Sequence, residues 1–311
     1  MDLFVTVILL IVGFVLLVKG SDLFVDGSAS VARLLGIPAV IVGLTIVSMG
    51  TSAPEAAVSI TAGVKGSNEI AISNLVGSNI FNMLCVAGLS AVITPFVVDK
   101  VVLKRDFPVS IAAMVLAAVM AITGKTISRP EGICLFVIFT LYIAYLIRSA
   151  IKNRETENNY EKAMSPLKSI IFIIIGLAAI IFGGQLVVDS AKEIARMFRM
   201  SETLIGVTIV AIGTSLPELV TSIVAARKGQ SAIAFGNVVG SNIFNILFIL
   251  GMSSAFNSIA VVNEALIDAI VMIGVNVIGF LFCLTGKKLN RLEGAFMIGM
   301  YILYTIYLII R

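Results

Sequence analysis

Two short stretches set an acid beside a proline inside otherwise apolar sequence: "GTSAPEAA" at residues 50–57 and "GTSLPELV" at 213–220. Glu55 falls about 17 residues into an apolar run that begins near residue 38. At ~1.5 Å per helical residue, that depth is close to the middle of a bilayer. A carboxylate there costs several kcal/mol, and two brought to one place would also repel each other. A cation held between Glu55 and Glu218 removes both costs. The weaker alternative is a protonated Glu hydrogen-bonded within a helix bundle.

The neighbouring residue types suit the same chemistry. Thr51, Ser52, Thr214 and Ser215 offer hydroxyls one turn before each Glu. The next apolar run in each half carries "NLVGSNIFN" (74–82) or "NVVGSNIFN" (237–245). These supply Asn74, Ser78, Asn79, Asn82, Asn237, Ser241, Asn242 and Asn245. On a helix Ser78 and Asn82 are i and i+4 and share a face, as do Ser241 and Asn245. All are hard oxygen donors, the set that suits Ca²⁺ or Na⁺. The bland reading is hydrogen bonding between helices, common for Ser and Asn in membranes. It weighs more for Asn74, Asn79, Asn237 and Asn242 than for Ser78, Asn82, Ser241 and Asn245. Gly77 and Gly240 read as close-packing points rather than ligands.

Other chemistries are excluded or unsupported. The chain has no histidine, which removes imidazole ligands and a His general base. Cys85, Cys134 and Cys283 lie singly in apolar runs, without CxxC spacing, and read as packing residues. The net charge of +4 is spread over loops, a topology signal and not a nucleic-acid surface.

The elements that must position these residues are membrane spans. Of 311 residues 59% are hydrophobic and 13% charged, far from the roughly 25% charged of soluble proteins. Ten apolar runs approach spanning length: 3–18, 38–64, 70–95, 107–124, 130–148, 167–188, 202–226, 232–256, 262–284 and 292–310. The first has Asp2 before it and Lys19 after it, the wrong flanks for a cleaved signal. With the N-terminus outside, fifteen of the 22 Lys and Arg fall in cytoplasmic loops. The positive-inside rule therefore puts both termini outside. The polar stretch 152–168 is then a cytoplasmic linker.

From Gly43 and Gly206, 48-residue stretches align without a gap at a constant offset of 163, with more than half the positions identical. This is an internal duplication. The halves divide as a first five-helix repeat at 1–150, a linker at 151–168 and a second repeat at 169–311. Five is odd, so the second half crosses the membrane in the opposite sense. The expected fold is an all-α membrane protein of ten transmembrane helices, arranged as two inverted-topology five-helix repeats. Pro54 and Pro217 are expected to interrupt their helices, with Gly50 and Gly213 loosening the turn before.

"GTSAPE…GSNIFN" and "GTSLPE…GSNIFN" resemble the paired alpha repeats of the cation/calcium antiporter superfamily, most nearly its prokaryotic sodium/calcium exchangers. The resemblance implies a secondary-active antiporter, not an enzyme, exchanging Ca²⁺ for Na⁺ across the cell membrane by alternating access. It implies that Glu55 and Glu218 are the main Ca²⁺ carboxylates, helped by the backbone carbonyls of Thr51 and Thr214. Ser52, Ser78, Asn82, Ser215, Ser241 and Asn245 would complete sodium sites, and helices 1 and 6 would be a long, tilted, sliding pair. The expected partners are the lipid bilayer and the two transported ions. No cofactor, no nucleic acid and no regulatory domain are expected, and the assembly is expected to be a monomer. H⁺/Ca²⁺ antiport on the same fold is the alternative, with the many hydroxyl and amide donors favouring sodium. An intramembrane carboxylate hydrolase is the least supported reading. The chain also resembles potassium-dependent sodium/calcium exchangers, where an aspartate stands at the position of Asn245. The neutral amide here implies transport that needs no potassium.

Overall fold

The computed structural model describes residues 3–152, 163–198, 200 and 211–310. Much of the 151–168 linker, the start of the 202–226 run, and the counted cations Arg154, Lys162, Arg199 and Arg311 lie outside them. An apolar chain in lipid must satisfy its backbone internally, which favours helices, and helices dominate. They are α1 (Leu3–Leu35), α2 (Ala39–Thr51), α3 (Ala53–Val64), α4 (Asn68–Ile93), α5 (Val102–Gly124), α6 (Arg129–Lys152) and α7 (Pro166–Met197). There follow α8 (Ala211–Thr214), α9 (Leu216–Arg227), α10 (Ser231–Phe256), α11 (Asn263–Leu284) and α12 (Arg291–Ile310). Among the described residues eight helices are long and apolar enough to span, or nine if the bent pair α2–α3 is one span.

The expected limits of two spans need correction. The run at 3–18 belongs to a helix of 33 residues and the run at 167–188 to one of 32. The polar residues after Lys19 and after Gln185 continue these helices as amphipathic ends. Each is about 50 Å long, more than a bilayer core, so each must tilt or project. α1 and α7 pack antiparallel along a seam of small residues. Gly13 meets Gly183, Gly20 meets Gly176, and Gly27 meets Ser169. A Cβ on Gly20 would lie 2.8 Å from the Gly176 carbonyl oxygen, so only glycine lets the two backbones approach this far.

The central layer is α4 and α10, whose most apolar stretches are 72% and 94% buried; that of α12 is 11% buried and faces outward. Both central helices widen into π-helical turns, at Asn82–Ala87 and Phe244–Leu250, a distortion frequent at functional sites. Sharp turns lead into them. Gly66 (φ +76°) and Gly229 (φ +71°) take the left-handed conformation. Ser67 N–H then bonds back to Ala62 O, and Gln230 N–H to Ala225 O, closing the preceding helix ends. Two small antiparallel ladders tie loops together: β1 (Phe96–Val97) pairs with β4 (Lys288–Leu289), and β2 (Thr126–Ile127) with β3 (Ile259–Ala260).

Candidate functional site

The break that the prolines were expected to cause falls two residues earlier. α2 ends at Thr51 and α3 begins at Ala53, bent by 55°, with Ser52 in non-helical geometry (φ −82°, ψ 10°). Ser215 separates α8 from α9 in the same way (φ −93°, ψ 7°). Pro54 and Pro217 sit in the first turn of the following helix, where a missing N–H costs nothing. Glu55 and Glu218 therefore lie in the first turn of α3 and α9, where the helix dipole favours negative charge.

The two breaks face each other. Ser52 Oγ donates to Glu218 Oε1 at 2.7 Å. Ser215 Oγ donates to Glu55 Oε1 at 2.9 Å and lies 3.1 Å from Ser78 Oγ. Both glutamates are 1% exposed. Thr51 and Thr214 spend their hydroxyls on other partners. Thr51 Oγ1 donates to Asn237 Oδ1 at 3.1 Å, and Thr214 Oγ1 to Asn74 Oδ1 at 3.4 Å. The two asparagines are braced in turn by Ser222 and Ser59, at 3.0 and 2.8 Å. Asn74 and Asn237 thus act as braces across the two breaks, in keeping with the bland reading of them.

A second tier is built of amides. Asn82 Nδ2 donates to Asn242 Oδ1 at 3.2 Å, and Asn245 Nδ2 to Asn79 Oδ1 at 3.0 Å. Asn242 Nδ2 donates in turn to Asn276 Oδ1 on α11, at 3.0 Å. Asn79 and Asn242 therefore hold Asn82 and Asn245 by their nitrogens. Asn276 was missed in the sequence; its signal was a single amide within an otherwise apolar stretch, "IVMIGVNVIGFLF". Ser241 does not mirror Ser78: its hydroxyl turns to the Ser48 carbonyl at 3.5 Å. Gly240 is a close-packing point, since a Cβ there would meet the Leu44 backbone at 2.8 Å. For Gly77 the repeat equivalent of Leu44 is Val207, which lies outside the described residues.

The oxygens left over carry the chemistry. Five buried carboxylate or amide oxygens lack a hydrogen-bond partner among the described residues. Four of them are Glu55 Oε2, Glu218 Oε2, Asn82 Oδ1 and Asn245 Oδ1. Native interiors rarely leave acceptors orphaned, and all four of these belong to the two repeated motifs. Asp106 is the contrast. It too is buried, but Arg105 Nε and Nη2 donate to it at 2.8 and 3.0 Å and Tyr142 OH at 3.0 Å. That carboxylate is saturated and fastens α5 to α6. Among the described residues no three His, Cys, Asp or Glu side chains cluster as a metal centre. Two carboxylates among neutral oxygens suit an ion that must also leave.

The fold and these broken helices define a polytopic membrane protein with oxygen-lined helix breaks at its core. The family model described as "Sodium/calcium exchanger protein" matches residues 5–148 and 168–310, and the chain belongs to that family, whose members are transporters of Na⁺ and Ca²⁺ and not enzymes. The sodium/calcium exchanger MaX1 of Methanosarcina acetivorans is 33% identical over 350 residues, covering 98% of each chain. The inner membrane protein YrbG of Escherichia coli (strain K12) is 38% identical over 253 residues, covering 78% of each. Among solved structures, the sodium-calcium exchanger NCX_Mj, soaked with zero Na⁺ and Ca²⁺, superposes with a TM-score of 0.86. It is 34% identical and is matched over 99% of this chain and 100% of its own.

Proposed function

We propose that the protein exchanges Ca²⁺ for Na⁺ across the cell membrane by alternating access. Glu55 and Glu218 are the main Ca²⁺ carboxylates, with the Thr51 and Thr214 carbonyls beside them. Ser52, Ser78, Asn82, Ser215, Ser241 and Asn245 complete overlapping sodium sites. The carrying observation is the quartet of orphaned oxygens on Glu55, Glu218, Asn82 and Asn245. Bound cations would supply the partners that these four oxygens lack. Ser241 is the least supported member, since its hydroxyl faces the Ser48 carbonyl.

The architecture we infer is ten spans in two inverted five-helix repeats joined by a cytoplasmic linker, with both termini outside and a monomer as the working unit. Three contacts support it. α1 and its counterpart α7 run antiparallel. β1 pairs with β4 and β2 with β3, joining loops that this topology puts on one side. Lys228, in the loop after α9, reaches Asp26 at 2.8 Å and Asp22 at 3.3 Å on the cytoplasmic half of α1. The glycine seam lets α1 and α7 slide past the core, opening the site to one side and then to the other.

The test is calcium flux into vesicles under separate Na⁺ and pH gradients. Uptake driven by outward Na⁺ at clamped pH supports the reading. Uptake driven by a pH gradient alone replaces it with H⁺/Ca²⁺ exchange, and no uptake under either gradient refutes both.

A further inference from the structure

We propose that Asn276, on α11 and outside both repeated motifs, is a positioning residue for the sodium-binding oxygen of Asn82. It acts through a relay of three amides.

The polarity of that relay follows from one group that can only accept. Asn276 Nδ2 lies 2.8 Å from the Met272 backbone carbonyl, and a carbonyl takes hydrogen bonds but gives none. The Asn276 amide is thereby oriented, with its Oδ1 turned to Asn242. Asn242 must then present its nitrogen to Asn276, at 3.0 Å, and its oxygen to Asn82. Asn82 answers with its nitrogen at 3.2 Å, which leaves Asn82 Oδ1 as the free, buried oxygen. Reverse any one amide and the next meets like against like, so the order runs from a helix backbone to the ion site without a choice. All three asparagines are at most 1% exposed.

The other half lacks this relay. Asn245 is held by Asn79, whose nitrogen rests on the Met272 sulfur at 3.6 Å and the Asn242 carbonyl at 3.5 Å. These are long contacts, and a thioether is a weak acceptor. The two amide oxygens of the site are therefore not equivalent. Asn82 Oδ1 is held through close amide bonds and Asn245 Oδ1 by a looser chain.

This inference rests on the reading of Asn82 as a sodium ligand. The experiment measures the Na⁺ and Ca²⁺ concentrations that half-saturate exchange in vesicles, for the parent protein, Asn82→Ala, Asn276→Leu, Asn276→Asp and the double variant Asn82→Ala/Asn276→Leu. Leucine fills the space but accepts nothing, so Asn242 and Asn82 lose their orientation. Asn276→Leu is expected to raise the half-saturating Na⁺ about fivefold, the worth of one net hydrogen bond, with half-saturating Ca²⁺ changed less than about twofold, because Ca²⁺ rests on the carboxylates. Buried aspartic acid is neutral: its O–H donates to the Met272 carbonyl and its other oxygen accepts from Asn242, so Asn276→Asp should return the Na⁺ requirement to within about twofold of the parent. In the double variant the Asn276 change should add nothing to Asn82→Ala, since residues acting in one chain are not additive. A purely structural role would move both ions together and add in the double variant.

If Asn82→Ala raises the Na⁺ requirement and Asn276→Leu does not, or if Asn276→Asp behaves like Asn276→Leu, the relay is wrong while the site stands. If Asn82→Ala leaves Na⁺ unchanged, the site reading fails first and the relay with it. Should Asn276→Leu not fold, Asn276→Thr replaces it. Its hydroxyl bonds back to the i−4 carbonyl but stops short of Asn242, and the same outcomes apply.

Discussion

Removing one charge at the centre is the most direct perturbation. Glu218→Gln keeps the shape of the side chain and an oxygen for the 2.7 Å bond from Ser52. It replaces the orphaned oxygen with an N–H pair aimed where the ion would sit. At a Ca–O distance of ~2.4 Å and an effective dielectric of ~20, each carboxylate attracts Ca²⁺ by about 14 kcal/mol before desolvation. If dehydration of the ion and the carboxylate offsets four-fifths of that, about 3 kcal/mol remains, and the loss of affinity exceeds ~100-fold. Glu55→Gln should behave alike, since Ser215 makes the matching bond at 2.9 Å. Two assays read this. Initial calcium uptake into vesicles should fall below a tenth of the parent's. In detergent, Ca²⁺ at ~100 times the parent's dissociation constant should stabilise the parent by about 2.7 kcal/mol and the variant scarcely at all. Without Ca²⁺ the variant should melt no lower than the parent, because a buried charge has gone and the serine bond has stayed. Near-normal uptake by either variant refutes the site. A variant that melts well below the parent without Ca²⁺ refutes the claim that the carboxylate is held for an ion.

Because the proposed sites share the central oxygens, raising Na⁺ at constant ionic strength should weaken Ca²⁺ binding to purified protein; an apparent affinity that stays constant when choline replaces sodium contradicts the overlap. Asn245 is a neutral amide held by Asn79 at 3.0 Å, so the centre carries two carboxylates, enough for one Ca²⁺ with no charge left for a co-bound K⁺. Sodium-driven uptake with choline in place of all potassium should proceed unchanged, and uptake that returns only with K⁺ overturns this count. Gly176→Val would drive a branched side chain into the backbone of α1, where even a Cβ would lie 2.6 Å from Phe24 N. It should cost at least ~1–3 kcal/mol and lower the melting temperature, whereas Gly274→Ala, at an exposed position of α11 with nothing within 4 Å among the described residues, should leave melting nearly unchanged; equal effects would refute the seam.

Much of this protein was legible as a line of letters, because membranes impose local rules. Apolar runs of spanning length, the constant offset of 163 and a proline beside an acid are all features of near neighbours in the chain. From them the membrane-spanning character and the duplication follow without any knowledge of contacts. The apolar runs alone did not show the long ends of α1 and α7; the family resemblance implied them. Their residues beyond Lys19 and Gln185 are polar enough to pass for loop, and contacts from far along the chain, such as Thr221 on Ser21, Lys228 on Asp26 and Gly213 on Val188, hold them.

What tertiary structure alone decided is which atoms of the motif remain free. Ser52 meets Glu218 across 166 residues, and Asn82 meets Asn242 across 160. Sequence names the donors and acceptors but cannot say which will pair. Asn74 and Asn82 are the same residue eight positions apart, yet one braces a helix break and the other keeps a buried oxygen with no partner among the described residues. Ser78 and Ser241 are related by the same repeat, yet only Ser78 reaches its cross-repeat serine. Even the helix break sits at Ser52 and Ser215 instead of at the prolines, because a proline is at ease in a first turn and the preceding residue takes the bend. Local chemistry supplied the oxygens, and long-range contacts consumed all but a few of them, which is why the sequence could name the candidates but not the atoms left over.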